Sequence, residues 1–160
     1  MYDHEEEIIA ASNQGSLLAT MDTEGNVLVR DVTNHNEILY QIKIYKQYET
    51  GCLLFNQNKE KEVFVFCNNE VELYDADGRV VQRMEFDHNV VCATQDDDIV
   101  VIAYQTGGIA CYDWTKDMIV SEILDVGPFK SLTSSRVSIP TAERVIVGGG
   151  ESGEVLILKL

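Results

Sequence analysis

Residues 107–113 read GGIACYD, and three other stretches of the chain repeat this phrase. They are residues 25–31 (GNVLVRD), 69–75 (NEVELYD) and 153–159 (GEVLILK), the last with Lys159 in place of the final aspartate. The matching ends at residues 31, 75, 113 and 159 lie 44, 38 and 46 residues apart. A repeat of roughly 40–45 residues made of short strands predicts the blades of a β-propeller.

Short segments rich in strand-forming residues fill the rest of the chain, and turn signals such as Asp77-Gly78 separate them. In groups of four they predict one propeller segment over residues 1–160, with blades at 8–45, 51–86, 90–124 and 129–160. The fourth blade contains only three predicted strands, near 129–139, 145–147 and 155–158. The expected fold is therefore all-β, with about four blades, the last lacking its outer strand.

The incomplete fourth blade leaves three possibilities open. The chain is a fragment of a larger ring, part of a ring completed by a second chain, or a compact four-bladed closure. In each case we expect the apolar strand at Val155, Leu156, Ile157 and Leu158 to be covered, because open strand edges promote aggregation.

The charge of the chain restricts its partners. It has 27 acidic and 12 basic residues, a formal net charge of −15, and 45% hydrophobic residues. A surface with this much negative charge repels phosphate backbones and anionic membranes. We therefore expect neither nucleic acid nor a membrane as a partner. It attracts basic proteins, although the same charge could serve only to keep the chain soluble.

The beginning of the chain and its cysteines predict an intracellular location, cytoplasmic or nuclear. Residues 1–7 are acidic, whereas a secretory signal begins with positive charge, and no apolar run reaches the roughly 18 residues of a membrane helix. Cys52, Cys67, Cys92 and Cys111 lie in apolar, strand-like contexts without a Cys-x-x-Cys pair. This pattern favours buried thiols in a reducing compartment over disulfides or zinc ligands.

Residues 16–31 resemble the second half of a WD40 repeat, as do residues 99–113 and 144–159. The tryptophan of the Trp-Asp dipeptide is replaced in the four copies, by Arg30, Tyr74, Tyr112 and Leu158. The family's Gly-His opening is absent, and in the sequence only His88 lies near that position. The resemblance implies a propeller in which a histidine, a turn aspartate and the tryptophan form a hydrogen-bond network that stabilises each blade.

A glycine-rich run at residues 148–153 (GGGESG) satisfies the G-x-G-x-x-G pattern of nucleotide-binding loops. A dinucleotide site needs a following helix, and a kinase loop needs a lysine strand and catalytic residues further along the chain. Only seven residues follow, and they indicate a strand. The run therefore predicts a turn between strands, and we expect no bound cofactor.

The remaining chemical residues do not form a recognisable active site. Asp31, Asp75 and Asp113 recur at one position of the repeat, so we expect them to hydrogen-bond the adjacent turn. The run Asp96, Asp97 and Asp98 is typical of a solvated loop and is a possible contact for a basic partner. The three histidines lie far apart, so we expect no catalytic and no metal-binding residues.

These observations favour a non-enzymatic scaffold that holds other proteins together as a subunit of a larger assembly. Two alternatives remain open. One is a propeller enzyme with its active site in a central channel. The other is a subunit of a coat or transport complex, in which a partner strand, from a second copy or another protein, completes the open propeller.

Overall fold

The computed structural model describes residues 4–35, 37–46, 48–136, 144–150 and 152–159. Within these ranges every regular element is a β-strand, and the strands form four antiparallel sheets. Consequently, this part of the chain contains no helix that could cross a membrane. The chain divides into two compact units, residues 1–86 and 87–160, with two sheets in each.

The first unit contains two four-stranded sheets whose strands pair in chain order. Sheet 1 consists of β1 (Ile8–Gln14), β2 (Leu17–Asp22), β3 (Asn26–Asp31) and β4 (Glu37–Lys43). Sheet 2 consists of β5 (Gly51–Phe55), β6 (Val63–Cys67), β7 (Glu70–Tyr74) and β8 (Val80–Glu85).

One face of sheet 1 packs against sheet 2 to form the core of the first unit. The core includes Met21 and Val29 from sheet 1 and Val63 from sheet 2, each 0% exposed. The outer strand β4 takes part through Tyr40 and Ile42. Burial of this much apolar surface is the main favourable term holding the two sheets together.

Strand β6 is buried on both faces, because all five of its side chains are inaccessible to solvent. Val63 and Val65 belong to the core shared with sheet 1, and side chains alternate along a strand, so Phe64 and Phe66 lie on the other face. This explains why the repeated strands have apolar residues at consecutive positions and lack the alternation of a half-exposed strand.

The second unit contains one four-stranded and one three-stranded sheet. Sheet 3 consists of β9 (Val90–Asp96), β10 (Ile99–Tyr104), β11 (Gly108–Asp113) and β12 (Met118–Leu124). Sheet 4 consists of β13 (Phe129–Arg136), β14 (Arg144–Gly150) and β15 (Val155–Lys159). Val101 and Ile109 of sheet 3 share a core with Phe129 and Ile146 of sheet 4.

The repeat of the sequence is also a repeat of backbone geometry. Its first residue is Gly25, Gly107 or Gly153 in three copies, and each has positive φ, at 78°, 88° and 89°. At Gly25 a Cβ atom would lie 2.7 Å from the backbone oxygen of Ile44, so a side chain is excluded by space as well as by conformation. Glycine here allows the turn to pack closely on the end of the outer strand.

The end of the phrase is marked by a second repeated feature, a bulge between the third and fourth strands of three sheets. It falls between Val29 and Arg30, between Leu73 and Tyr74, and between Cys111 and Tyr112. A bulge bends and twists the outer strand relative to its neighbour. Sheets 1, 2 and 3 therefore share one design.

The structure confirms the all-β fold and places strands close to their predicted positions. Strand β4 ends at Lys43 rather than Tyr45, because Ile44 leaves the ladder to bond the oxygen of Gly25. The first strand of sheet 4 was predicted to extend to residue 139, and residues 137–143 lie outside the described part. All four cysteines are thiols, and Cys67 and Cys111 are buried.

Candidate interaction surfaces

Asp31 and Asp75, at the ends of two repeated phrases, bind the turns that follow them. Asp31 Oδ1 accepts a hydrogen bond from the backbone N–H of Thr33 at 2.9 Å. Asp75 Oδ1 accepts from the backbone N–H groups of Asp77 and Arg79, each at 2.9 Å. Such bonds close the turn and stabilise the ionised carboxylate, so these aspartates have structural roles.

Asp113 makes the same kind of contact in sheet 3. Its Oδ1 accepts from the backbone N–H groups of Thr115 and Lys116, each at 3.1 Å, and its Oδ2 lies 2.5 Å from Lys116 Nζ. The side-chain bonds from Lys116 and then Thr115 lower the pKa of Asp113 to about 2. The carboxyl is ionised at neutral pH and is already bound to its own turn.

A histidine network connects the start of the chain to sheet 1. His4 Nδ1 lies 2.8 Å from Asp22 Oδ2, and His4 Nε2 lies 2.7 Å from Thr20 Oγ1. The His4 and Asp22 side chains are 4% and 1% exposed. The sequence indicated only His88 as lying near the family's histidine position and did not single out His4. His88 instead packs its ring edge-to-face on Tyr104, with 5.3 Å between the ring centroids.

Asp22 is held in its charged form by the turn that it closes. Its Oδ1 accepts from the backbone N–H groups of Glu24 and Asn26 at 3.0 and 2.8 Å, and its Oδ2 accepts from Asn26 Nδ2 at 2.8 Å. Burial raises the pKa of Asp22, but the bonds from Asn26 and His4 more than offset it and hold the pKa below its ordinary value. The sequence gave little indication of this network, because Thr20 and Asp22 lie 16 and 18 positions from His4.

The network has the residue types of a hydroxyl–imidazole–carboxylate catalytic triad. A catalytic hydroxyl must reach a substrate, yet Thr20 lies within β2 and is only 9% exposed. A cleft of about 590 Å³ lies beside the network, and His4 and Asp22 line it while Thr20 does not. The arrangement therefore supports a structural role, in which the network ties residues preceding β1 to the turn between β2 and β3.

Strand β15 forms an exposed edge of sheet 4. Among the described residues it pairs with β14 alone. Leu156 and Leu158 pack against the core of the second unit, whereas Val155 and Ile157 are 68% and 62% exposed. The predicted edge residues thus divide into two that anchor the strand and two that face solvent.

No family model matches the sequence, and no curated protein matches it either. Many solved structures match the fold, among them the following three. The computationally designed protein Ika4 matches with a TM-score of 0.76 at 15% identity, covering 99% of this chain and 94% of its own. Sqt1 of Saccharomyces cerevisiae matches with a TM-score of 0.80 at 14% identity, covering 98% of this chain and 47% of its own. The computationally designed protein Ika8 matches with a TM-score of 0.74 at 15% identity, covering 98% of this chain and 47% of its own.

The fold is a four-bladed β-propeller. The sheets described above are its blades, and their arrangement fits a WD40-like propeller. The chain spans about half the length of Sqt1 and of Ika8, but nearly all of Ika4. At these identities the likeness establishes the fold and leaves the function to be argued from the surfaces.

The outer strand of the third blade exposes an unusual amount of apolar surface. Four apolar side chains of β12 are between 42% and 49% exposed, namely Met118, Val120, Ile123 and Leu124. Side chains alternate along a strand, so Ile123 and Leu124 lie on opposite faces of β12, and both faces offer apolar contacts to a partner. The sequence did not predict the exposure of β12, because an outer strand that is covered and one that is exposed have the same residue pattern.

The acidic run of the third blade is less uniform than predicted. Asp96 is the last residue of β9 and is only 6% exposed, Asp97 is partly buried with φ at 53°, and Asp98 is exposed. Asp96 ends β9, where it pairs with Ile99, and its side chain is buried rather than solvated. Only Asp98 and part of Asp97 remain accessible to a partner.

The glycine-rich run lies in the fourth blade as the end of one strand and a tight turn. Gly148 and Gly149 belong to β14, and the N–H of Gly153 donates to the oxygen of Gly150 at 3.3 Å. Strand β15 follows directly, so the run does not lead into the helix that a phosphate site of this type requires.

Proposed function

We propose that the chain is a non-enzymatic, intracellular interaction module whose fourth blade binds an extended segment of another protein. The observation that carries the proposal is the solvent-exposed edge of β15. A propeller scaffold presents such edges and loops on a rigid frame, which suits a protein that holds others together.

An open edge of this kind is a ready binding site for a strand. In the described part of the chain β15 pairs only with β14, so the N–H and C=O groups of its other edge can bond an added strand, while Val155 and Ile157 offer apolar contacts at alternate positions. The exposed apolar side chains of β12 lie in the same unit and add further apolar surface. Together these features support completion of the fourth blade by a segment from another chain.

The charge of the chain favours a basic partner. A net charge of −15 speeds encounters with cationic surfaces, whereas two copies of the chain repel each other. A different protein with basic residues beside its strand is therefore the favoured occupant over a second copy. A subunit of a coat or transport complex would bind its partner in this way, with the partner's strand completing the fourth blade.

An enzymatic function has weaker support from the described residues. Asp31, Asp75 and Asp113 bind their own turns, and the hydroxyl of the histidine network is buried in a strand. No group of His, Cys, Asp or Glu suitable for a metal ion occurs in the part of the chain that the structure describes.

The edge can be tested with Ile157→Lys, which places an ammonium in the middle of β15. Val81→Lys is the matched control, because Val81 is an apolar residue of an outer strand with comparable exposure, 53% against 62%. Partners recovered with the tagged chain would be identified and the complexes reconstituted from purified components. We expect Ile157→Lys to weaken the reconstituted complex by about tenfold or more and Val81→Lys to leave it unchanged.

Circular dichroism and thermal melts would confirm that both variants fold, as expected for exposed positions. Light scattering on the isolated chain, of 18.0 kDa, would show whether a second copy occupies the edge instead. A complex that binds equally well with Ile157→Lys would refute strand addition at β15.

A further inference from the structure

The cleft beside the histidine network is a second surface with definite chemistry. It has a volume of about 590 Å³, within the roughly 300–1,000 Å³ range of ligand sites. Leu28 of β3 and Gln41 of β4, paired across the first blade, form part of its wall. Val27 and Ile42 of the same strands face the core, so the cleft lies on the opposite face of the blade from the second blade.

The lining of the cleft combines apolar and acidic residues. Leu28, 5% exposed, and Ile38, 36% exposed, supply the apolar part. Glu5, Glu6 and Glu24 supply carboxylates, and all three residues are exposed. Neither lysine nor arginine is among the lining residues.

Two further contacts define the charge at this site. The fourth carboxylate of the lining, that of Asp22, is already engaged by His4 and by the turn. At the rim, the ammonium of Lys43 donates to the backbone oxygen of Glu24 at 2.8 Å and to Asn26 Oδ1 at 3.0 Å. The chain itself thus places an ammonium group beside this turn, while no hydrogen bond or ion pair within the described residues engages the side chains of Glu5, Glu6 or Glu24.

Such a combination suits a long cationic side chain. Lysine and arginine lay their methylene stems along apolar surface and keep their charged ends near solvent or a carboxylate. An anionic group would be repelled by the three glutamates, and a purely apolar group would leave them without a partner. A basic segment of a protein satisfies both parts of the lining.

We propose that this cleft binds a lysine or arginine side chain of a basic segment in the partner protein. Leu28 and Ile38 contact the stem, and Glu5, Glu6 and Glu24 bind the charged end. This inference rests on the proposed interaction function and assigns the basic residues of the partner to lining residues of the first unit, none of which belongs to β15.

The probe is a short, otherwise neutral peptide of glycine and serine with one central arginine, compared with a peptide carrying citrulline instead. Citrulline has nearly the same shape but no charge. Titration of the ¹⁵N-labelled full chain should move the backbone amide signals of residues 5, 6, 24, 28 and 41 with the arginine peptide and not with citrulline. Raising the salt from about 50 to 500 mM should weaken the binding severalfold.

The variant that tests the site replaces Glu5, Glu6 and Glu24 with glutamine, which keeps size and removes charge. The matched control, Glu49→Gln with Glu60→Gln and Asp87→Asn, changes the net charge equally at exposed residues that do not line the cleft. We expect the first triple variant to weaken peptide binding by about tenfold and the control by less than about twofold.

The inference fails if citrulline binds as well as arginine, if the two triple variants behave alike, or if the shifted amides lie elsewhere. It also fails if spermine binds but the arginine peptide does not, because the site would then take a small polycation. Strand binding at β15 is measured separately with Ile157→Lys, so either proposal can fail while the other survives.

Discussion

Strands β4 and β12 are the outer strands of equivalent blades, yet β4 has one buried face whereas β12 is mostly exposed. Ile42 of β4 pairs with Val27 and is 5% exposed, whereas Ile123 of β12, which pairs with Ile109 at the same place in the repeat, is 42% exposed. Since the pairing and the residue type are the same, the difference must come from what lies against each strand.

The second blade covers β4 with its own outer hairpin. The turn between β7 and β8 comes close to Tyr40, because a Cβ atom on Gly78 would lie 3.4 Å from the Tyr40 ring. The hydroxyl of Tyr40 also donates to the backbone oxygen of Lys61 at 2.5 Å. Among the described residues the fourth blade has three strands, and an outer hairpin equivalent to β7–β8 is not part of them. The comparison teaches that the outer hairpin of one blade also covers the outer strand of the preceding blade.

The largest expected effect distinguishes the two isoleucines directly. Ile42→Ala removes a buried side chain and should reduce the free energy of unfolding by about 2–5 kcal/mol. Ile123→Ala should cost less than about 1 kcal/mol, because Ile123 is already partly solvated. Equilibrium urea unfolding of the isolated chain measures both. Equal losses would contradict the idea that β12 lacks cover.

A second difference between the blades lies in their histidines. His4→Ala breaks two hydrogen bonds and leaves Asp22 and Thr20 short of partners, so it should cost about 2–3 kcal/mol. His88→Ala removes a ring contact with Tyr104 and should cost about 1 kcal/mol. The same unfolding experiment at pH 7 tests the pair, and a larger loss for His88→Ala would reverse our assignment of the two roles.

The comparison can be sharpened by measuring β12 in the complex. Ile123→Ser should change the stability of the isolated chain by less than about 1 kcal/mol, but should weaken the reconstituted complex by several fold if the added strand covers Ile123. Val81→Ser on the outer strand of the second blade is the control and should change neither quantity. Binding unaffected by Ile123→Ser would mean that the partner strand does not extend to β12.

The smallest expected effect concerns acid. The pKa of Asp113 is lowered to about 2, so its bonds contribute stability that is fully present above about pH 4 and is lost as the pH falls through 2. Asp113→Asn should therefore lower the melting temperature most at pH 7, and the deficit should shrink toward pH 2. Glu60→Gln, at an exposed residue, should show no such trend. A deficit for Asp113→Asn that is the same at every pH would rule out the ionised carboxylate as its cause.

The sequence was sufficient to predict the positions of the strands, because the blades repeat the same local signals. Glycine or asparagine opens the turn, consecutive apolar residues require cover on both faces, and an aspartate closes the next turn. These signals act over a few residues, so they can be read without knowledge of the neighbouring blades. The three-stranded fourth blade was predicted for the same reason.

What the sequence did not predict depends on distant partners. The role of His4 arises only when residues 4, 20 and 22 meet. Asp96 is buried at the end of β9, although it begins an acidic run. Likewise, Glu72 looks like a surface residue of the repeat, but its carboxylate binds Tyr74 and Arg83. In each case tertiary packing decides the outcome and local composition does not.

The pairing of strands in chain order also has a consequence for how the chain acquires its structure. Every sheet forms from consecutive strands, so each pairing closes only a short loop, which costs little entropy and favours rapid folding. Ribosomes release roughly 5–20 residues per second, so the first blade can assemble before the third has been synthesised. The fourth blade emerges after the other three, and we expect its open edge to be accessible to a partner from the moment it leaves the ribosome.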